Sequence, residues 1–234
     1  MSMAAFLYER GENMKKAAIF DLDGTLLYSL EDLGNSTNAA LREYGFPERS
    51  LEEVRRFVGN GVAMLIHRAV PLGTDASTEA ACLQYFQEYY QNHMQDRTRP
   101  YDGILNMLDC LHGMGIQTGI LSNKFHQAVC TLSRVYFGDR IDVAQGEQPG
   151  IPRKPDPAGL NQIMRRLGVL PEETLYLGDS PEDALTAQNA GVEFMGVTWG
   201  YRTLGQLREA GAREWINRPE ELAVELRQKT RGNG

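Results

Sequence analysis

Two aspartates, Asp21 and Asp23, stand two positions apart in Phe-Asp-Leu-Asp-Gly-Thr-Leu, residues 20–26. The residues just before them, Ala17–Phe20, are apolar and read as a short buried strand. In open α/β sheets ligands bind beyond the carboxyl ends of the strands, so both carboxylates fall at a working edge. Two like charges this close raise each other's pKa unless a cation relieves them, and hard oxygen ligands at short spacing suit Mg²⁺. Asp-Gly is also an ordinary turn pair. The motif needs companions before it means chemistry.

Three later segments supply them. Ile-Leu-Ser-Asn, residues 120–123, ends a strand in the hydroxyl of Ser122 and the amide of Asn123. That hydroxyl and the N–H groups beside it suit the grip of phosphate oxygens. Arg-Lys-Pro-Asp-Pro, residues 153–157, puts Lys154 in a loop between two strand ends and ahead of a helix, within reach of a bound anion. Leu-Tyr-Leu-Gly-Asp-Ser-Pro-Glu-Asp, residues 175–183, repeats the first pattern. A strand closes at Gly178, Asp179 follows, and Asp183 lies in the first turn of a helix. Glu182 in that turn reads as a complement to the helix dipole alone.

The elements that position these groups are legible as well. Five segments read as strands: Ala17–Phe20, Gln117–Leu121, Ile141–Ala144, Thr174–Leu177 and Phe194–Val197. Helical faces lie between the later ones, as in Ile104, Leu105, Leu108 and Leu111, or Leu160, Ile163, Met164 and Leu167. Continuous apolar strands alternating with helices make an α/β, Rossmann-like parallel sheet flanked by helices. From about residue 28 to 98 the pattern is helical throughout, too long for one crossover. The expected organisation is an extension over 1–13, a core of 14–27 and 99–234, and an inserted all-helical domain over 28–98.

Taken in order, Asp-Leu-Asp-Gly-Thr, Ser-Asn, Lys-Pro-Asp-Pro and Gly-Asp-Ser-Pro-Glu-Asp resemble the four motifs of the haloacid dehalogenase superfamily, from Lys15 onward. The helical insert resembles its C1-type cap. The resemblance implies strand order 5-4-1-2-3, which sets the Asp21 and Asp179 strands side by side. It implies Asp21 as nucleophile and Asp23 as acid/base residue. It implies Mg²⁺ held by Asp21, the backbone carbonyl of Asp23, and Asp179, with Asp183 nearby, and phosphoryl oxygens bound by Ser122, Asn123 and Lys154. The implied reaction is hydrolysis of a phosphomonoester through an aspartyl-phosphate. A metal and a lysine would offset the repulsion between carboxylate and phosphate.

Residues 58–70, 196–201 and 211–222 are similar to the phosphoglycolate phosphatase group. The expected substrate is 2-phosphoglycolate or another small phosphorylated metabolite. Phosphatases of nucleotides, pyrophosphate or sugar phosphates, and phosphosugar mutases, are the alternatives. Tyr28 departs from the acidic residue common in that group, at the entry to the cap. Candidates for substrate selection in the cap are Arg56, Asn60, His67 and Arg68.

Composition narrows the rest. The chain has 234 residues, 42% of them hydrophobic, and a net charge of -7. That balance speaks against nucleic acid or an anionic membrane as partner. No apolar run matches a membrane span and the N-terminus lacks secretory character, so a cytoplasmic setting is expected. Cys82, Cys110 and Cys130 lack metal or disulfide spacing and read as buried thiols. A phospho-aspartate receiver domain also clusters acids, but it needs about half this length and no acid two residues past the nucleophile. A dinucleotide-binding domain would need a glycine-rich turn where this chain has two carboxylates.

Overall fold

The computed structural model describes residues 15–231, with side chains to residue 227. The extension expected over 1–13 lies outside the described residues. The first strand, β1 (Ala17–Phe20), is buried at all four positions and sits mid-sheet. Its partners are β4 (Gln117–Phe125) and β6 (Thr174–Gly178), both parallel to it. β5 (Val143–Glu147) flanks β4 on one side. β7 (Glu193–Val197) and β8 (Glu214–Ile216) follow β6 on the other. The six-stranded order is β5-β4-β1-β6-β7-β8. The five expected strands therefore stand in the expected order, and β8 adds an edge strand beyond them. Several boundaries moved: β5 runs Val143–Glu147 rather than Ile141–Ala144, β6 ends at Gly178, β7 begins at Glu193, and β4 continues past Leu121 through a register irregularity to Phe125.

Alternation along β1 divides the interior. Ala17 and Ile19 face a cluster with Leu160, Ile163 and Leu167. Those last three lie on α7 (Ala158–Leu167), a helix that buries the face its sequence indicates. Ala18 and Phe20 face a larger cluster that includes Ile104, Met107, Leu108 and Leu111 of α5 (Ile104–Gly113). Met107 takes the place expected for Leu105, which is 38% exposed. The thiols also depart from expectation. Cys82 is buried, but Cys110 is exposed and Cys130 is half-buried. Apolar neighbours in sequence do not fix which face of a helix a residue occupies.

The insert comprises α1 (Leu30–Glu43), α2 (Leu51–Phe57), α3 (Val62–Ala69) and α4 (Ala76–His93). The chain leaves the core through β2 (Leu27–Tyr28) and returns through β3 (Arg99–Pro100). These pair antiparallel, Leu27 with Pro100 and Tyr28 with Arg99. The buried Asp32 carboxylate ties the crossing together. It accepts from the backbone N–H groups of Arg97 and Thr98 and from the Thr98 hydroxyl. The remaining helices, α6 (His126–Phe137), α8 (Pro181–Ala190), α9 (Leu204–Glu209) and α10 (Glu221–Arg231), belong to the core. No helix among the described residues is long and apolar enough to cross a membrane.

Candidate active site

Register brings the strand ends level. Phe20 lies opposite Ile120 and Leu177, and the Asp21 N–H donates to the Leu177 carbonyl at 2.8 Å. Asp21, Ser122 and Asp179 therefore emerge at one edge from three adjacent strands. Asp183 joins them from the first turn of α8. Ser180 caps that helix, and the Asp183 Oδ2 accepts from the Ser180 N–H at 3.1 Å and from its hydroxyl at 2.5 Å. Carboxylate oxygens of Asp21, Asp179 and Asp183 lie within 4.8 Å of one another, and all three residues are buried.

Lys154 is the ammonium of this cluster. Its Nζ donates to Asp21 Oδ1 at 2.8 Å and to Asp183 Oδ1 at 2.7 Å. Burial opposes its charge, but the carboxylates of Asp183 and Asp21 outweigh that and hold its pKa well above the usual lysine range. Burial pushes the Asp21 carboxyl well up, against the pull of Lys154. Burial, with the Asp183 charge behind it, pushes Asp179 up to about 7. Three buried carboxylates around one ammonium leave excess negative charge. Hard oxygen donors in that state fit a small divalent cation such as Mg²⁺. The fit depends on Gly24. Its φ is +94°, and a Cβ there would meet Asp179 Oδ2 at 2.5 Å. Thr25 completes the turn by donating to Asp179 Oδ1 at 3.3 Å.

The Asp23 carboxylate stands apart from that cluster; the sequence set only the Asp23 backbone carbonyl, not this carboxylate, toward the metal. Lys124 Nζ donates to its two oxygens at 3.1 and 2.9 Å, and the Ser29 hydroxyl donates at 2.5 Å. Ser29 is itself held by Tyr201, whose hydroxyl accepts from the Ser29 N–H at 3.0 Å. Ser122 lines the cavity, and its Oγ accepts from the Lys124 N–H at 3.2 Å. Asn123 lines the cavity and also braces it. Its Oδ1 accepts from the Lys154 N–H at 2.9 Å, and its Nδ2 donates to the carbonyls of Gly59 at 3.0 Å and Lys154 at 3.2 Å.

The candidates in the insert fall elsewhere than the sequence suggested. Arg56 is exposed and does not line the cavity. His67 turns outward to Glu79, with Nδ1 at 3.1 Å from its carboxylate. Arg68 donates to the Phe57 carbonyl and to Asn60 Oδ1, both at 2.9 Å, and so supports the Gly59–Asn60–Gly61 turn. Asn60 Nδ2 donates to Glu182 Oε1 at 2.8 Å. Glu182 is therefore a docking contact as well as a helix-dipole residue. Sequence reasoning passed over Lys124, Tyr201 and Arg202, which all line the cavity. The signal was available: each lies just past the end of a strand already identified, where the edge of such a sheet collects functional groups.

The fold and this cluster define an α/β hydrolase of the phosphatase class, with a helical cap inserted after the first strand. The chain belongs to the haloacid dehalogenase-like hydrolase family, whose sequence profile matches residues 18–197. A phosphoglycolate phosphatase from Pseudomonas putida is 34% identical over 195 residues, which cover 80% of this chain and 71% of that protein. A crystal structure from Lactobacillus delbrueckii subsp. bulgaricus superposes with a TM-score of 0.86 at 30% identity, covering 91% of this chain and 98% of that one. A predicted phosphoglycolate phosphatase from Haemophilus somnus superposes with a TM-score of 0.85 at 26% identity, covering 92% and 98%.

Proposed function

We propose that this chain is a Mg²⁺-dependent phosphomonoester hydrolase acting through an aspartyl-phosphate on Asp21, with 2-phosphoglycolate or a similarly small phosphorylated metabolite as substrate. The observation that carries the reading is the placement of Lys154. Its ammonium lies 2.8 Å from Asp21 at an edge shared with Ser122 and two further carboxylates.

In this reading an Asp21 oxygen attacks phosphorus while the bond to the ester oxygen breaks. Asp23 gives its proton to the departing oxygen. The same carboxylate then takes a proton from water, which attacks the aspartyl-phosphate and releases phosphate. Lys154 and Ser122 hold phosphoryl oxygens throughout. Asp21, Asp179 and Asp183 are the carboxylates that would hold Mg²⁺, which would offset charge repulsion between nucleophile and phosphate.

Two observations support a small substrate. The cap walls the cavity over Asp21 with the apolar side chains of Leu33, Val58, Val62 and Leu65, and so limits what can reach it. Relatives matched across most of this chain are named phosphoglycolate phosphatases. The test is hydrolysis of a panel holding 2-phosphoglycolate, ethyl phosphate, glucose 6-phosphate, a nucleoside monophosphate and pyrophosphate, with Mg²⁺ and with chelator. The highest kcat/KM is expected for 2-phosphoglycolate, with no turnover in chelator. A preference for the sugar or nucleoside phosphate would overturn the substrate, and full activity in chelator would overturn the metal.

A further inference from the structure

Three cations line the cavity, Lys124, Lys154 and Arg202, and all belong to the core. Among the described residues the cap gives it no charged side chain, only apolar ones with Gly59 and Gly61. A negative group on the leaving half of a substrate thus finds its counter-charge on the core or finds none. A buried carboxylate without a partner is costly.

All three cations have partners, and the partners differ in where they lie. Lys154 serves Asp21 and Asp183 on the phosphoryl side. Arg202 donates through its Nη atoms to the carbonyls of Arg55 at 2.7 Å and Val58 at 2.5 Å. Lys124 is 4% exposed and ion-pairs with Asp23 alone among the described residues. Its Nζ also lies 4.6 Å from the ring centre of Tyr90, a buried residue of the cap. It therefore sits where core and cap meet, beside the carboxylate assigned to the leaving oxygen.

The backbone is built to bring it there. Pairing of β4 with β5 is irregular between Leu121 and Phe125. Within that irregular stretch the Lys124 carbonyl presses on Gly146 of β5, where a Cβ would come within 2.4 Å of it. Only glycine admits so close an approach.

We propose that Lys124 is a specificity-determining residue, pairing with a carboxylate carried next to the ester oxygen, so that the enzyme selects small phosphorylated acids over neutral phosphate esters of equal size. The proposal rests on the reading of Asp23 above, because Asp23 at the leaving oxygen is what sets Lys124 beside the leaving group. The competing account makes Lys124 only the ionic partner of Asp23. That account requires its loss to weaken both kinds of ester alike.

The test measures kcat and KM for 2-phosphoglycolate and ethyl phosphate in the wild type, Lys124→Met and Lys124→Arg, all with Mg²⁺ and with folding checked by thermal melting. Wild type should favour 2-phosphoglycolate. Lys124→Met should cut the ratio of the two kcat/KM values by about 10–100-fold, the worth of a charge-assisted hydrogen bond, mainly through KM for the acid. Lys124→Arg should recover most of that ratio. An unchanged ratio in Lys124→Met, with both substrates slowed together, overturns the proposal and leaves the phosphatase reading standing. Equal use of both esters by wild type overturns the proposal and the substrate class together, while hydrolysis of neither would reject the phosphatase reading itself. Should Lys124→Met not fold, inhibition of wild type by 3-phosphonopropionate and propylphosphonate decides. Tighter inhibition by the carboxylated analogue upholds the proposal, and equal inhibition overturns it.

Discussion

Arg55 of the cap and Arg202 of the core each reach across the junction between them to a backbone carbonyl on the other side. Arg55 Nη1 donates to the Tyr201 carbonyl at 3.2 Å, and Arg202 Nη1 donates to the Arg55 carbonyl at 2.7 Å. Arg202 Nη2 reaches the Val58 carbonyl at 2.5 Å, at the C-terminal end of α2, where a cation also meets the negative end of the helix dipole. The Gly59–Asn60–Gly61 turn beside it is pinned by Asn123, Arg153 and Glu182. These contacts close the cap over Asp21.

Arg202→Ala should release that closure. The expected outcome is a KM raised by about 10-fold or more, from loss of two or three charged hydrogen bonds, with faster amide exchange in α2 and the 59–61 turn. Hydrogen-exchange mass spectrometry together with steady-state kinetics reads both. Unchanged exchange in α2 would remove Arg202 as a latch.

Asp21→Asn keeps the shape of the side chain and removes the nucleophile. Turnover should fall to below about one thousandth of wild type, while circular dichroism and melting temperature barely change. Mass spectrometry of the wild-type enzyme quenched in acid should find a phosphorylated peptide containing Asp21, absent from the variant. Near-normal turnover in the variant would reject the assignment.

Metal and proton compete at the carboxylate cluster. Asp179 stands at about 7 in the fold against an ordinary 3.8. Without metal the native state then binds a proton that the unfolded chain lacks between those values, so stability falls as pH rises through that window. A cation bound to the ionised carboxylates reverses this loss. The gain in melting temperature from Mg²⁺ over chelator should be small near about pH 4.5 and should grow to its largest value above about pH 7. A gain that is constant with pH would contradict the account.

Arg68→Ala separates two roles for a cap arginine. The sequence offered Arg68 as a candidate for substrate selection, but its guanidinium supports the turn through Phe57 and Asn60. Its removal should raise KM by about 2–10-fold for every ester alike, the worth of one or two hydrogen bonds. A loss confined to carboxylated esters would return Arg68 to the substrate.

Asp32→Ala should be among the more destabilising single changes. It strands the N–H groups of Arg97 and Thr98 and the buried Thr98 hydroxyl where the chain re-enters the core. The expected cost is about 2–3 kcal/mol, or roughly 4–12 °C in Tm for a domain of this size. A differential scanning measurement showing no shift would mean that water replaces the carboxylate.

The sequence by itself determined the parts of this protein whose physics is local. A strand of small and apolar residues that stops at an aspartate places that carboxylate at a sheet edge whatever else surrounds it. For that reason Asp21, Ser122, Lys154 and Asp179 could be named from Phe-Asp-Leu-Asp-Gly-Thr, Leu-Ser-Asn, Arg-Lys-Pro and Leu-Gly-Asp alone. The helical period marked the insert as a unit for the same reason, since amphipathic spacing is set within a few turns. What the tertiary structure decided are the meetings between distant segments. Arg55 and Arg202 are 147 positions apart, and Lys124 and Asp23 are 101. Which side chain faces the cavity depends on how the cap docks. That is a sum of packing and hydrogen bonds between surfaces that carry no common period in sequence. Arg56, His67 and Arg68 therefore read as candidates for the substrate but do not line the cavity, while Lys124 and Arg202, passed over in the sequence, do.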